Sequence, residues 1–268
     1  MSLPSGGSPY GPVAIDSCIR RFVRNGRHTV GRVMVEYTGV DGMSGIEAVC
    51  FDLDGTPLRY RRSPAEVLQA SFERVGVDPL FPVEDYYERY DEFARQCDSM
   101  AELRSECFGT LAVENGCEAS LGRAVATAFD AERDQSNVEL YPRVPAVLET
   151  LSQRYEIGIV TNGTRDAQRR KIEAVGIEQW IDTIVIAGQD PPPKPASEPF
   201  ERALDSLDAT PATTVHVGDS READISGATN AGLDSVWISG SGTDGSVPTY
   251  RVTSIGNLLP PPWESSDS

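Results

Sequence analysis

The run Phe51-Asp52-Leu53-Asp54-Gly55-Thr56 places two carboxylates two residues apart, directly after the apolar stretch Ile46-Glu47-Ala48-Val49-Cys50-Phe51. That stretch reads as a buried strand, and the Gly-Thr that follows must leave it through a turn. Acids at the C-terminal end of a parallel strand stand where open α/β sheets bind ligands. Burying or half-burying both costs several kcal/mol unless a cation compensates. The pair therefore implies a metal, and a metal beside two acids at a strand end implies chemistry.

Three further strand ends carry polar groups. Thr161-Asn162-Gly163 offers a hydroxyl and backbone amides ahead of a helix start, suited to phosphate oxygens. Lys194 sits in Pro191-Pro192-Pro193-Lys194-Pro195, where the prolines stiffen the loop and present a single lysine at a fixed place. Gly218-Asp219-Ser220-Arg221-Glu222-Ala223-Asp224 adds an acid at a strand end and another on the following helical turn. Taken alone, Asp219 or Asp224 reads as a helix cap, Thr161-Asn162-Gly163 as a turn and Lys194 as a surface lysine. Their order at successive strand ends is what points to a site.

The elements that must position these groups are legible from periodicity. Residues 63–134 are helical throughout. Ser63 caps a helix with Pro64 at its first position and Glu66 at its third, and Gly76 stops it. Tyr86, Tyr87, Tyr90 and Phe93 mark a second helix, Leu103, Phe108 and Leu111 a third, and Leu121, Val125, Ala128 and Phe129 a fourth. After Tyr141 the texture alternates: helix 144–155, strand 157–161, helix 165–175, strand 183–187, helix 199–207, strand 213–217, helix 223–231 and strand 235–238. Short β-branched strands separated by helices specify an α/β fold, a doubly wound parallel sheet covered on both faces. The expected organisation is an N-terminal extension (1–42), a core built from 43–60 and 141–259, a helical insert (61–140) placed like a lid, and a frayed C-terminal tail (260–268). Within the extension, Val30, Val33 and Val35 suggest at most a short strand.

With Asp52-Leu53-Asp54-Gly55-Thr56, Thr161-Asn162, Lys194-Pro195 and Gly218-Asp219-Ser220 with Asp224 in this order, the chain resembles the haloacid dehalogenase-like hydrolase superfamily. The stretches Lys194–Phe200 and Gly218–Gly232 also look like that family. The resemblance covers about residues 46–258, and the helical insert between the first and second motifs resembles its helical-cap subclass. Pro57 departs from the Leu that many relatives carry after Gly-Thr. The resemblance implies a Rossmann-like core with an inserted all-helical cap. It also implies that Asp52 attacks phosphorus to form an aspartyl-phosphate. Asp54 would protonate the leaving oxygen and then deprotonate the water, assistance worth ~10²–10⁴-fold. Mg²⁺ would be held by Asp52, the backbone carbonyl of Asp54 and Asp219, with Asp224 orienting its waters or Lys194. Thr161, the Asn162 amide and Lys194 would hold the phosphate oxygens.

The expected function is a phosphatase acting on a small phosphorylated metabolite, since a dehalogenating relative needs no general acid and lacks the second Asp. A sugar phosphomutase is the alternative, sharing every core residue, and a non-catalytic binding protein on the same fold is the third reading. Arg59, Arg61 and Arg62 either meet an anionic substrate arm or are solvated. Tyr86, Tyr87 and Tyr90 either stack on substrate or, for at least two of them, pack in a core.

Of the 268 residues, 41 are acidic and 24 basic, for a net charge of -17, which argues against nucleic acid or an anionic membrane as partner. No stretch approaches the ~20 apolar residues of a membrane span, and residues 1–13 lack a signal-like apolar run. The five cysteines (Cys18, Cys50, Cys97, Cys107, Cys117) form no CxxC pair and read as reduced thiols of a cytoplasmic protein. Lys171 and Lys194 are the only lysines, against 22 arginines. An acidic, lysine-poor surface is expected of a protein kept soluble in high salt, where self-repulsion is screened. The purified protein should accordingly lose thermal stability on transfer to low ionic strength; a Tm indifferent to salt removes the high-salt reading.

Overall fold

The computed structural model describes residues 45–94, 96–97, 99–238 and 246–264. The expected extension, with its suggested strand at Val30–Val35, lies outside these residues, as do 265–268 of the tail. The apolar run before Asp52 forms β1 (Ala48–Phe51), buried along its whole length. Beyond the Asp54-Gly55 turn, β2 (Leu58–Tyr60) leads out to four helices, α1 (Pro64–Val75), α2 (Val83–Ala94), α3 (Met100–Glu114) and α4 (Ala119–Glu132). The chain returns along β3 (Val138–Leu140), which pairs antiparallel with β2 in the register Arg59 opposite Glu139. This two-stranded ribbon is absent from the sequence reading, because three residues per strand carry no detectable period.

The remainder alternates as expected: α5 (Val144–Leu151), β4 (Glu156–Asn162), α6 (Arg165–Val175), β5 (Thr183–Ala187), α7 (Glu198–Leu207), β6 (Thr214–Gly218), α8 (Gly227–Asn230), β7 (Asp234–Ile238) and β8 (Tyr250–Val252). The strands make one parallel sheet in the order β5-β4-β1-β6-β7-β8. β1 lies between β4 and β6, so the order in which strands are added to the sheet reverses beside it, and its C-terminal end opens on the crevice where such sheets place ligands. Period-two alternation in β1 feeds both faces. Val49 and Phe51 join a cluster with Leu148, Ile159 and Val217, while Ala48 and Cys50 join Val160, Phe200, Leu204 and Ala228 on the other side. Cys50 is thus a buried core thiol, pushed up to about 12 by burial.

Two boundaries differ in kind from the sequence expectation. The helix expected over 223–231 is a π-helical segment over Arg221–Ser226 followed by the short α8, and such widened turns gather at functional sites. The expected C-terminal fray is packed as far as Glu264. The Trp263 ring meets Tyr155 edge-on at 5.9 Å, and Glu264 pairs with Arg154 at 2.6 Å.

The helical insert has a core of its own. Helix α1 begins with the expected capping box, Ser63 with Glu66, and ends at Gly76, whose φ of 79° a side chain would strain. Phe108 of α3 is fully buried and meets Phe81, Tyr86 and Phe129 edge-on at 5.1, 5.2 and 5.6 Å. Tyr86 and Tyr90 belong to this cluster and Tyr87 is exposed, which settles the core role for two of the three. Arg59 and Arg61 pair with Glu139, and Arg62 with Glu132, so all three are engaged within the protein. Phe108→Ala should destabilise the protein by ~3–5 kcal/mol in a denaturant titration; a loss below ~1 kcal/mol means this ring does not organise the insert.

Candidate active site

The residues of the four strand-end motifs lie at the C-terminal edge of the parallel sheet. Asp52 follows β1, and its backbone amide donates to the Val217 carbonyl of β6 at 2.9 Å, which fixes where its side chain leaves the sheet. Lys194 comes from the loop after β5, and its ammonium, only 4 % exposed as a residue, donates three ways. Its partners are Asp52 Oδ1 at 2.7 Å, Asp224 Oδ1 at 2.6 Å and the Val160 carbonyl at 2.7 Å. Burial opposes the Lys194 charge, but Asp52 and Asp224 outweigh it and hold its pKa above the ordinary value.

The Asn162 side chain supports that loop. Its carboxamide donates to the Lys194 carbonyl at 2.9 Å and accepts from the Lys194 amide at 2.7 Å. Both ends of that carboxamide are therefore engaged within the protein. Thr161, buried beside it, accepts from the Gln168 carboxamide at 2.7 Å.

Asp224 is buried and accepts from the Ser220 amide at 2.9 Å. Burial disfavours its charge, yet Lys194 and His216 prevail and hold the carboxyl well below the ordinary carboxylate range. His216, on β6 and fully buried, has its pKa lowered by burial and sits with Nε2 3.1 Å from Asp224.

Oxygens of Asp52, Asp219 and Asp224 lie within 4.8 Å of one another. Burial pushes Asp52 up to about 7 against the pull of Lys194, with the Asp224 and Asp219 charges adding to the rise. Asp219 is exposed as a residue but packed around its carboxyl; that packing first, and the Asp224 charge second, push it up to about 6. One lysine does not neutralise three carboxylates, and an all-oxygen donor set suits a hard divalent cation. The turn is shaped to match. Gly55 has φ of +80°, and a Cβ there would lie 2.3 Å from Asp219 Oδ2, so only glycine lets this carboxylate close against the turn after Asp54. The donor set and this cradle fit Mg²⁺.

Asp54 is turned away from that group. Its two oxygens accept from Lys171 Nζ at 2.8 and 2.7 Å, and Oδ2 also accepts from Gln168 at 3.0 Å. The two acids of the run thus occupy different electrostatic settings, one within the carboxylate group and one against α6. The sequence reading missed Gln168, Lys171 and His216. The available signal for Lys171 was composition, since it is one of two lysines in the chain, seven residues into the helix that begins after Thr161-Asn162-Gly163.

Comparisons with known proteins agree with the geometry. The family model for haloacid dehalogenase-like hydrolases matches residues 46–232. The chain is 31% identical over 244 residues to N-acylneuraminate-9-phosphatase of Mus musculus, covering 81% of this chain and 94% of that protein. It is 30% identical over 211 residues to ribulose-1,5-bisphosphate 5-phosphatase of Halopiger xanaduensis, covering 70% of this chain and 83% of that one. Among solved structures, the HAD-hydrolase YfnB of Bacillus subtilis, bound to magnesium, superposes with a TM-score of 0.67 at 22% identity, covering 80% of this chain and 97% of that chain. The fold, the order of strand-end motifs and the extent of the family match together make this chain a member of the haloacid dehalogenase-like hydrolases.

Proposed function

We propose that this protein is a Mg²⁺-dependent phosphatase that hydrolyses a small phosphomonoester through an aspartyl-phosphate on Asp52. The observation that carries the reading is the separation of the two acids: Asp52 is buried against Lys194, and Asp54, two residues on, is held half-exposed by α6. Relatives named as phosphatases of an acylneuraminate 9-phosphate and of a ribulose bisphosphate support a phosphorylated metabolite as substrate. The four-helix insert between β2 and β3 serves as the cap over the strand ends.

In the first step a free oxygen of Asp52 attacks phosphorus, the P–OR bond breaks, and a protonated Asp54 gives its proton to the departing oxygen. In the second, water attacks the phosphoryl group, Asp54 takes a proton from it, and the bond to Asp52 breaks to release phosphate. Lys194, the Thr161 hydroxyl and the Asn162 backbone amide would hold phosphate oxygens as charge develops. Asp52, Asp219 and the Asp54 carbonyl would hold the cation, with Asp224 placing Lys194. When bound, the cation supplies charge that lets an anionic nucleophile meet a phosphate dianion. A cytoplasmic, high-salt setting for this enzyme rests on the charge balance and thiol content of the sequence.

Release of phosphate from an aryl phosphate should require Mg²⁺ and be abolished in Asp52→Asn; full activity in that variant ends the nucleophile assignment. Isomerisation primed by a bisphosphate, without phosphate release, would replace the phosphatase with the mutase.

Proton linkage gives a second check. Asp52 and Asp219 have folded pKa values raised to about 7 and about 6, so without a cation the unfolded chain ionises first. Their contribution to stability is present at low pH and is lost as pH rises through those values. Mg²⁺ competes with the same protons, so the gain in Tm on adding it should be larger at pH 8 than at pH 5.5. Equal gains at both pH values, or an undiminished gain in Asp219→Asn, would contradict this cation site.

A further inference from the structure

The carboxyl assigned to proton transfer is anchored by side chains that the scheme above does not use. Gln168 and Lys171 stand one turn apart on the inward face of α6, and both are almost completely buried. The N-cap Thr164, whose hydroxyl accepts from the Ala167 amide, sets where that face begins. The Lys171 ammonium meets both oxygens of Asp54 and lies 5.0 Å from the centre of the Tyr60 ring, so it has a carboxyl group on one side and a π-face on another. Tyr60 is itself fixed, since its hydroxyl donates to Gln135 at 2.5 Å. The Gln168 carboxamide is shared among Asp54 Oδ2, Thr161 Oγ1 and the Asn162 carbonyl.

We propose that Lys171, assisted by Gln168, is a positioning residue for Asp54, fixing the carboxyl on the leaving-group side of the phosphate cradle. The inference rests on the phosphatase reading. A side chain as exposed as that of Asp54, 38 %, has open alternative rotamers. Lys171 selects one by bridging both oxygens. Gln168 then ties that rotamer to Thr161, so the acid and the cradle keep a fixed separation. Proton transfer needs this, because a displacement of about 1 Å costs roughly 10²-fold in rate. A lysine serving only to neutralise a surface acid needs neither near-complete burial nor the ring behind it.

The effect should depend on the leaving group, since only a poor one needs its proton delivered in place. Lys171→Met should lower kcat/KM for an alkyl phosphomonoester by roughly 10²-fold and for an aryl phosphate with a good leaving group by less than about 10-fold. Asp54→Asn should show the same split. The double variant should be no more than about threefold worse than Asp54→Asn on the alkyl substrate, because two residues acting as one unit are not additive. Equal losses on both substrates, or losses that multiply in the double variant, overturn the assignment. Should Lys171→Met fail to fold in a denaturation control, Lys171→Gln is judged by the same two criteria. Wild-type protein that releases no phosphate from either substrate refutes the phosphatase reading itself, whereas an active wild type with an intact Asp54→Asn split and no Lys171 effect refutes this inference alone.

Discussion

One buried ammonium holds the site together. Lys194 Nζ lies between Asp52 and Asp224, with the Val160 carbonyl accepting its third hydrogen bond. Without it, carboxylates from the ends of β1 and β6 would face one another in a poorly solvated crevice. Losing one partner of such a buried pair costs ~3–5 kcal/mol, because the other is left charged and unsolvated. The neighbouring structure serves to keep this cation in place. Asn162 grips the Lys194 backbone at both its amide and its carbonyl, and Ser220 and His216 hold Asp224 in the matching orientation.

The same arrangement explains how two acids in one short run diverge. Alternation along the extended chain sends the Asp52 side chain into the crevice, and the turn at Gly55 brings Asp54 to the side of α6. Asp52 then answers to Lys194 and the other carboxylates, while Asp54 answers to Lys171 and Gln168. Gly55 serves both, since its positive φ makes the turn and its missing side chain admits Asp219. The chemistry of the site therefore depends on backbone geometry as much as on the acids themselves.

Much of this was legible in the chain. The DxDGT run, the threonine before Asn162, the lysine among prolines and the acids at 219 and 224 each follow an apolar, β-branched stretch. In a parallel sheet all such stretches end at the same edge, so order along the chain already implied convergence in space. The four helices of the insert were equally visible, because Ser63, Pro64, Glu66 and Gly76 are local capping signals and the apolar positions recur at helical spacing. The β2–β3 ribbon was not visible, since its strands are short and their pairing joins residues about 80 positions apart. Nor was the packing of Trp263 on Tyr155, which rests on a contact between distant segments.

The sequence by itself determined the fold class, the strand ends that carry polar groups and the pairing of Asp52 with Asp54, because periodicity and turn chemistry are local properties. It also distinguished this chain from dehalogenating relatives, through the second acid. Tertiary structure alone decided who partners whom. That Lys194 bridges Asp52 to Asp224, that the Asn162 side chain serves Lys194, and that Lys171 reaches from α6 to Asp54 are facts of distance. An ion pair depends on the separation of charges after folding and on how much water remains between them, and neither quantity is written in the spacing of residues along the chain.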